Sequence, residues 1–223
     1  MTDKAIILAS EEIAETIFRI AECETGSWEF TRADSIECLT EHFETEEFDL
    51  LFSFGTSVIV PGWILAKPDM PAVNLHAASP QYPGRDPHHF AIYDGVPEYG
   101  ATLHFMTPSV DSGPIIDVEI FDVPDGTRPV DLLDKANEAA FMLLGKYLPM
   151  LLSGEAPPSN PNLQWTGTKR SRKDFLELCR IDPEISEEEF LRRQRACQMP
   201  GYYNLHTMVQ GRRFHMLPDA EKG

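Results

Sequence analysis

No stretch of this chain stays apolar for the roughly 18 residues that a bilayer crossing requires. The start, Met1-Thr-Asp-Lys4, has no basic n-region, and the apolar run behind it, Ala5–Leu8, is only strand-sized. A signal peptide is therefore not expected. Basic charge is scarce: 19 Lys and Arg stand against 36 Asp and Glu, a formal net charge of −17. Such a surface repels nucleic acid, whose binding rests on neutralising phosphates with Lys and Arg, and it disfavours anionic membranes. Anionic small molecules stay within reach, because a local Arg cluster can oppose the global field. Cysteine is sparse as well. Cys23, Cys38, Cys179 and Cys197 are scattered without a CxxC spacing. That argues against a zinc or redox motif and for reduced thiols in a cytoplasmic protein. Internal repeats and low-complexity tracts are absent.

What is present is an ordinary globular composition, 42% apolar over 223 residues. It suffices for one substantial domain with a small appendage. Lys4–Ser10 and Phe48–Phe54 read as buried strands, Trp28–Thr31 as a short one, and Pro71–Leu75 as a strand running into His76. Between them, Glu11–Glu22 and Ser35–Phe43 carry apolar residues at helical spacing, with Ser35 as an N-cap. Pro61–Ala66 is a short helix candidate, and 77–87 a loop rich in Pro, Gly and Ser. Pro87–Tyr93 reads as a helix, Tyr99–Met106 and Ile115–Phe121 as strands, and Val130–Leu152 as a long amphipathic helix. The alternation predicts the α/β class: a Rossmann-like, mostly parallel sheet with helices on both faces, whose ligands bind at the carboxyl ends of the strands. Ser153–Pro161 reads as a linker. It divides a catalytic domain, 1–153, from a small C-terminal extension, 162–223. In the extension, Arg172–Cys179 and Ser186–Cys197 read as helices, the second with a Ser186/Glu189 capping box, and Gln210-Gly211 as the turn of a hairpin. A piece this small needs the main domain or a second subunit to pack on.

Chemistry concentrates between Asn74 and Gly113. Asn74 and His76 are two residues apart at a strand end, so their side chains project to one face. Asp111 follows 35 residues later, in a loop between two strands that can return a carboxylate to the same crevice. The trio suits acyl transfer to an amine. An amide N–H or an imidazolium can stabilise the developing oxyanion, and a histidine with a carboxylate partner can relay the amine's proton. By spacing alone, Asn-Leu-His is more often a hydrogen-bonded loop start, and Asp-Ser-Gly a turn whose Asp bonds its own backbone.

Taken in order, Asn74-Leu-His76, Pro80-Gln-Tyr-Pro-Gly-Arg-Asp-Pro87, Ala91-Ile-Tyr-Asp-Gly95, Tyr99-Gly-Ala-Thr-Leu-His104 and Val110-Asp-Ser-Gly113 resemble the folate-dependent formyltransferases. That family includes methionyl-tRNA, glycinamide ribonucleotide and sugar-nucleotide N-formyltransferases. The resemblance implies an N-formyltransferase using 10-formyltetrahydrofolate, with no metal. It implies Asn74 and His76 as the oxyanion donors and Asp111 as the orienting, proton-shuttling carboxylate. It puts the pterin among Phe54, Gly55, Val58, Ile59, Val60, Met106 and Val110, largely on backbone groups. Two departures bear on the acceptor. Ala77-Ala78-Ser79-Pro80 replaces the family's Ser-Leu-Leu-Pro, one residue shorter, and Leu8-Ala-Ser-Glu-Glu-Ile13 lacks the phosphate-binding Gly-Ser-Asn loop. Acceptor contacts are expected from Ser79, Tyr82 and Arg85, with Arg192, Arg193 or Arg195 adding charge if the tail folds over the crevice. The tail is similar to the C-terminal piece of the sugar enzymes, so a small soluble amine, foremost an amino sugar on a nucleotide, is the expected partner. Hydrolysis of the formyl-folate and non-catalytic folate binding are the competing readings, the latter at odds with an intact trio. The apolar residues of the tail further predict a homodimer.

Overall fold

The computed structural model describes residues 2–24, 28–199 and 201–217. Six strands form the main sheet: β1 (Asp3–Leu8), β2 (Trp28–Ala33), β3 (Leu50–Phe54), β4 (Ala72–His76), β5 (Glu98–Phe105) and β6 (Ile115–Asp122), in the order β2-β1-β3-β4-β5-β6. The first four neighbours run parallel. β5 is antiparallel to both β4 and β6. Its pairing with β6 has a local cause: a nine-residue loop, 106–114, joins the two strands, too short for the crossover that a parallel pair needs.

The period of two along the strands sorts side chains between two cores. Ala5 and Ile7 of β1 face α1 (Glu11–Glu24) and the long α5 (Pro129–Leu152), while Ile6 and Leu8 face α2 (Ile36–Thr45) and α3 (Gly62–Leu65). On β4, Val73 and Leu75 join the α1/α5 core, so Asn74 and His76 point the other way. The Ser35 hydroxyl caps α2 by accepting from the Cys38 amide, as the sequence predicts. The α4 helix (Pro87–Asp94) closes on Gly95 in the left-handed conformation.

Beyond residue 162 come α6 (Arg172–Leu178), α7 (Glu187–Cys197) and the hairpin β7 (His206–Val209) and β8 (Arg212–His215). Gln210 and Gly211 both have positive φ, 49° and 76°, which matches the twist of a two-residue hairpin. The segment has no core of its own. Phe175, Leu178, Ala196, Cys197 and Leu205 share one buried cluster with Phe90, Ile92, Tyr99, Leu132 and Ala136 of the main body. The expected capping box of α7 is only half made. Ser186 Oγ accepts from the Glu189 amide, but the Glu189 carboxylate is taken by Arg193 and the Tyr93 hydroxyl. Among the described residues no helix is long and apolar enough to cross a membrane.

Candidate active site

Antiparallel pairing of β4 with β5 sets His104 directly opposite Asn74, both on the face away from the α1/α5 core. His104 Nδ1 lies 2.8 Å from the Phe105 carbonyl, which can only accept, so Nδ1 carries the proton and Nε2 is bare. That bare Nε2 then accepts from Asn74 Nδ2 at 3.1 Å. The second N–H of the Asn74 amide remains free for another acceptor.

His76 is fixed in the same way. Its Nε2 donates to the Tyr82 carbonyl at 2.9 Å, and its Nδ1 faces Asp111 Oδ2 at 3.6 Å. Burial pushes the imidazole below its ordinary value, and the Asp111 carboxylate only partly offsets this. The neutral ring therefore holds its proton on Nε2 and has a lone pair on Nδ1.

Asp111 is 7% exposed. Its φ of 46° is in the left-handed region, which Asp tolerates better than most side chains. The turn around it is braced without it: Ser112 Oγ and Thr107 Oγ1 both donate to the Ser109 carbonyl, at 2.7 and 2.9 Å. The carboxylate does not bond its own loop, as a plain Asp-Ser-Gly turn would have it. Oδ2 accepts the Gly84 amide at 2.7 Å, and Oδ1 lies 3.5 Å from His104 Nε2. Burial raises its carboxyl, yet His76 and His104 in their protonated forms and the Gly84 amide together outweigh burial and hold it down to about 2. The acid is ionised at neutral pH.

These groups lie at a cavity of 680 Å³, within the usual range for a small-molecule site. Asn74, His76, His104 and Asp111 line it. Its lining also includes Phe54, Gly55, Val58, Ile59, Val60, Met106 and Val110, the positions expected to hold the pterin. Ile59 and Val110 are 65% and 41% exposed, apolar surface left open to a ligand. Apolar flanks beside open backbone fit a flat heterocycle such as a pterin. Arg85, His88, Lys169, Arg170 and Ser171 also line the cavity, and the Lys169 ammonium donates to Ser109 Oγ at 2.8 Å.

Not every expected acceptor contact is there. Arg85 is at the cavity, but Ser79 is buried away from it, its hydroxyl without a partner. The Tyr82 hydroxyl donates to Asp94 and its ring packs on Tyr99, so only its backbone reaches the trio. The arginines of α7 are likewise committed. Arg192 donates to the Tyr93 carbonyl and stacks over that ring, and Arg193 pairs with Glu189 at 2.7 Å. Arg195 is outside the cavity. Positive charge comes instead from Lys169 and Arg170, which the sequence shows only as a stretch between linker and helix. His104 also has no mark of its own in the sequence, although it closes the Tyr99–His104 block. Only the pairing with Asn74 singles it out. Another histidine of the cavity wall, His88, has Nδ1 buried with no partner, and burial beside His89 lowers its pKa to about 3.

Comparison with known proteins adds to this geometry. Residues 10–146 match the family model described as Formyl transferase. The methionyl-tRNA formyltransferase of Bacillus thuringiensis (strain Al Hakam) is 32% identical over 117 residues, 52% of this chain and 37% of that protein. The match thus spans little more than a third of that relative. Among solved structures, a sugar N-formyltransferase from Shewanella sp FDAARGOS_354 superposes with a TM-score of 0.81, at 16% identity, over 99% of this chain and 98% of that one. An N-formyltransferase from Helicobacter canadensis, solved with folinic acid and dTDP-3-aminofucose, gives 0.69 at 19% identity, over 100% and 90%. At these identities the likeness establishes a shared fold.

Proposed function

The chain belongs to the formyl transferase family, and on that premise we propose that it moves a formyl group from 10-formyltetrahydrofolate to the amino group of a small soluble acceptor. The observation that carries the reading is the convergence of Asn74, His76 and Asp111 at one cavity lined by both apolar and cationic side chains. The folate supplies an activated formyl carbon at the cavity. The free N–H of Asn74 is available to the oxygen of that formyl group as it gains negative charge. With Nε2 bonded to Tyr82, His76 acts as the base and not as the expected second oxyanion donor. Its Nδ1 takes the proton released by the attacking amine and returns it to the folate nitrogen as the bond from that nitrogen to the formyl carbon breaks. The Asp111 carboxylate stabilises the imidazolium between the two transfers. Burial of His76 and Asp111 keeps water from competing for these bonds. No nucleophilic side chain is needed, because the amine attacks directly.

Within this reading the acceptor is an amino sugar carried on a nucleotide. Support comes from Arg85, Lys169 and Arg170 in the lining of the same cavity, cations of the kind that meet a diphosphate. It also comes from the acidic whole, −17, which suits a compact ligand and not an RNA backbone. The Helicobacter protein crystallised with such a nucleotide. The reading includes a division into a catalytic domain, 1–153, and an extension, 162–223, a homodimer through that extension, and a cytoplasmic setting in keeping with the free thiols of Cys38, Cys179 and Cys197. The test is a screen of amino-sugar nucleotides, free amino sugars, amino acids, glycinamide ribonucleotide and Met-tRNA with formyl-folate. Formylation of Met-tRNA alone overturns the acceptor class, and release of formate without any formylated amine replaces transfer by hydrolysis.

A further inference from the structure

Residues 160–171 form neither helix nor strand, yet hydrogen bonds tie them to the loops around the reactive groups. The Asn160 amide donates to the Ile115 carbonyl at 2.7 Å. The Thr166 amide donates to the Pro80 carbonyl at 3.2 Å and the Arg170 amide to that of Pro83 at 3.0 Å, while the Arg85 amide returns a bond to the Arg170 carbonyl at 2.8 Å. Two glycines make this approach possible. A Cβ on Gly167 would overlap the Gln81 carbonyl oxygen, and a Cβ on Gly84 would overlap that of Arg170. Gly84 is also the residue whose amide holds Asp111.

In the middle of this strap is Trp165. Its indole N–H donates to the Gly113 carbonyl at 2.8 Å, two residues past Asp111. Its ring is centred 5.8 Å from the His76 imidazole and 5.0 Å from that of His104, edge-on to the latter at 89°. One aromatic side chain thus touches both imidazoles of the site. It does so from outside the cavity, whose lining does not include it. The family match ends at residue 146, so the strap lies beyond the stretch that carries the resemblance.

We propose that the strap 160–171 is a positioning element of the active site, and that Trp165 holds the rings of His76 and His104 in their working orientations. The proposal rests on the formyl-transfer reading for its kinetic consequence only. Rotation about the imidazole χ2 is soft and broad, so neighbours set the ring angle. Each ring bonds one carbonyl, Tyr82 for His76 and Phe105 for His104, and its other nitrogen meets Asp111 at 3.6 Å or the Asn74 amide at 3.1 Å, contacts in the line of the ring that leave its tilt unset. The indole closes the remaining side in a geometry that aromatic rings favour. Misplacing a reacting group by about 1 Å can cost on the order of 100-fold in rate.

The test uses the full chain with Trp165→Ala, Trp165→Leu and Trp165→Phe. Two measurements are made on each: steady-state formyl transfer, and the imidazole N–H resonance of His76 in the ligand-free, 15N-histidine-labelled protein. The expected result is a kcat about 10- to 100-fold lower in the Ala and Leu variants, with KM for the folate within about 3-fold of wild type and kcat restored to within about 5-fold by Phe. The His76 N–H bonded to the Tyr82 carbonyl should be seen in wild type and Phe and be lost in Ala and Leu. A Leu variant with wild-type kcat and an intact N–H resonance overturns the proposal, also where the Ala variant fails to fold. If wild type formylates no acceptor, the transfer reading fails, while the N–H comparison still decides whether Trp165 positions His76.

Discussion

Asp111 accepts the Gly84 amide and faces the imidazoles of His76 and His104, groups from three separate segments. Removing any member of this set leaves a buried neighbour without its partner, a loss larger than that of an exposed contact. We expect Asn74→Ala, His76→Ala and Asp111→Ala each to lower formyl transfer by about 100-fold or more with the fold retained, the scale of losing one oxyanion donor in other enzymes. Steady-state kinetics beside circular dichroism checks this, and a variant with near-normal turnover removes its residue from the site. The acid limb of the rate profile should lie below pH 6.5, because the working form of His76 is neutral and burial depresses its pKa. The same sign holds for stability. A histidine whose folded pKa is depressed contributes nothing adverse above about 6.5 and costs stability as pH falls below it, since the unfolded chain takes up the proton first. With His88 lowered to about 3, the melting temperature should drop between pH 6.5 and about 5, above the range where depressed carboxylates such as Asp111 and Glu189 begin to contribute, and His88→Phe should flatten that slope. An equal slope in the variant assigns the drop to other groups.

At the scale of elements, the contact between the strap and the loop 80–85 brings backbone against backbone beside the site. Gly84 has a φ of 97°, a region a side chain rarely enters, and no space for a Cβ. Gly84→Ala should therefore cost about 1–3 kcal/mol of stability and, by moving the amide that holds Asp111, lower kcat as well. Chemical denaturation and kinetics on the same preparation test the coupling. A stability loss with unchanged kcat per folded molecule separates the loop from the chemistry. The acidic first turns of α1 and α7, with Glu11, Glu12, Glu187 and Glu188, complement the helix dipole and need no such test.

At the scale of the whole molecule, α6, α7 and the hairpin serve the body twice. They bury Phe90, Ile92 and Leu132, and they leave outward apolar groups at Leu191, Tyr202, Tyr203, Met208, Val209 and Phe214. Val209 and Phe214 share one face of the hairpin and Met208 points from the other, and exposed apolar surface favours association. We expect light scattering at micromolar concentration to give a dimer, and Met208→Lys with Phe214→Lys to give a folded monomer; a monomeric wild type ends the idea. A reduced folate should raise the melting temperature, as any ligand confined to the native state does. At 100 times its Kd the gain is about 2.7 kcal/mol. No shift at millimolar 5-formyltetrahydrofolate counts against the cavity as its site.

The alternating elements, the two-residue offset that sends Asn74 and His76 to one face, the Ser35 cap and the Gln210-Gly211 turn are all legible in the amino-acid sequence. Each is written in neighbouring residues, because helix and strand periods, caps and turns are short-range properties of the backbone. The apolar walls of the cavity are legible from motif order. Other features have no local mark. The reversal of β5 sets His104 against Asn74, the left-handed Asp111 reaches back to Gly84, and Lys169, Arg170 and Trp165 arrive from a stretch with no helical or strand period. In the basic run of α7, prominent in the sequence, Arg192 and Arg193 are consumed by Tyr93, Glu189 and backbone carbonyls, and Arg195 is outside the cavity. Which distant segments meet depends on sheet order and loop closure over tens of residues, and no periodicity within one segment records it. The sequence by itself thus determined the two faces of each strand and the residues able to do the chemistry. The tertiary structure alone decided which groups surround them, because burial and charge at the site are sums over segments that only folding brings together.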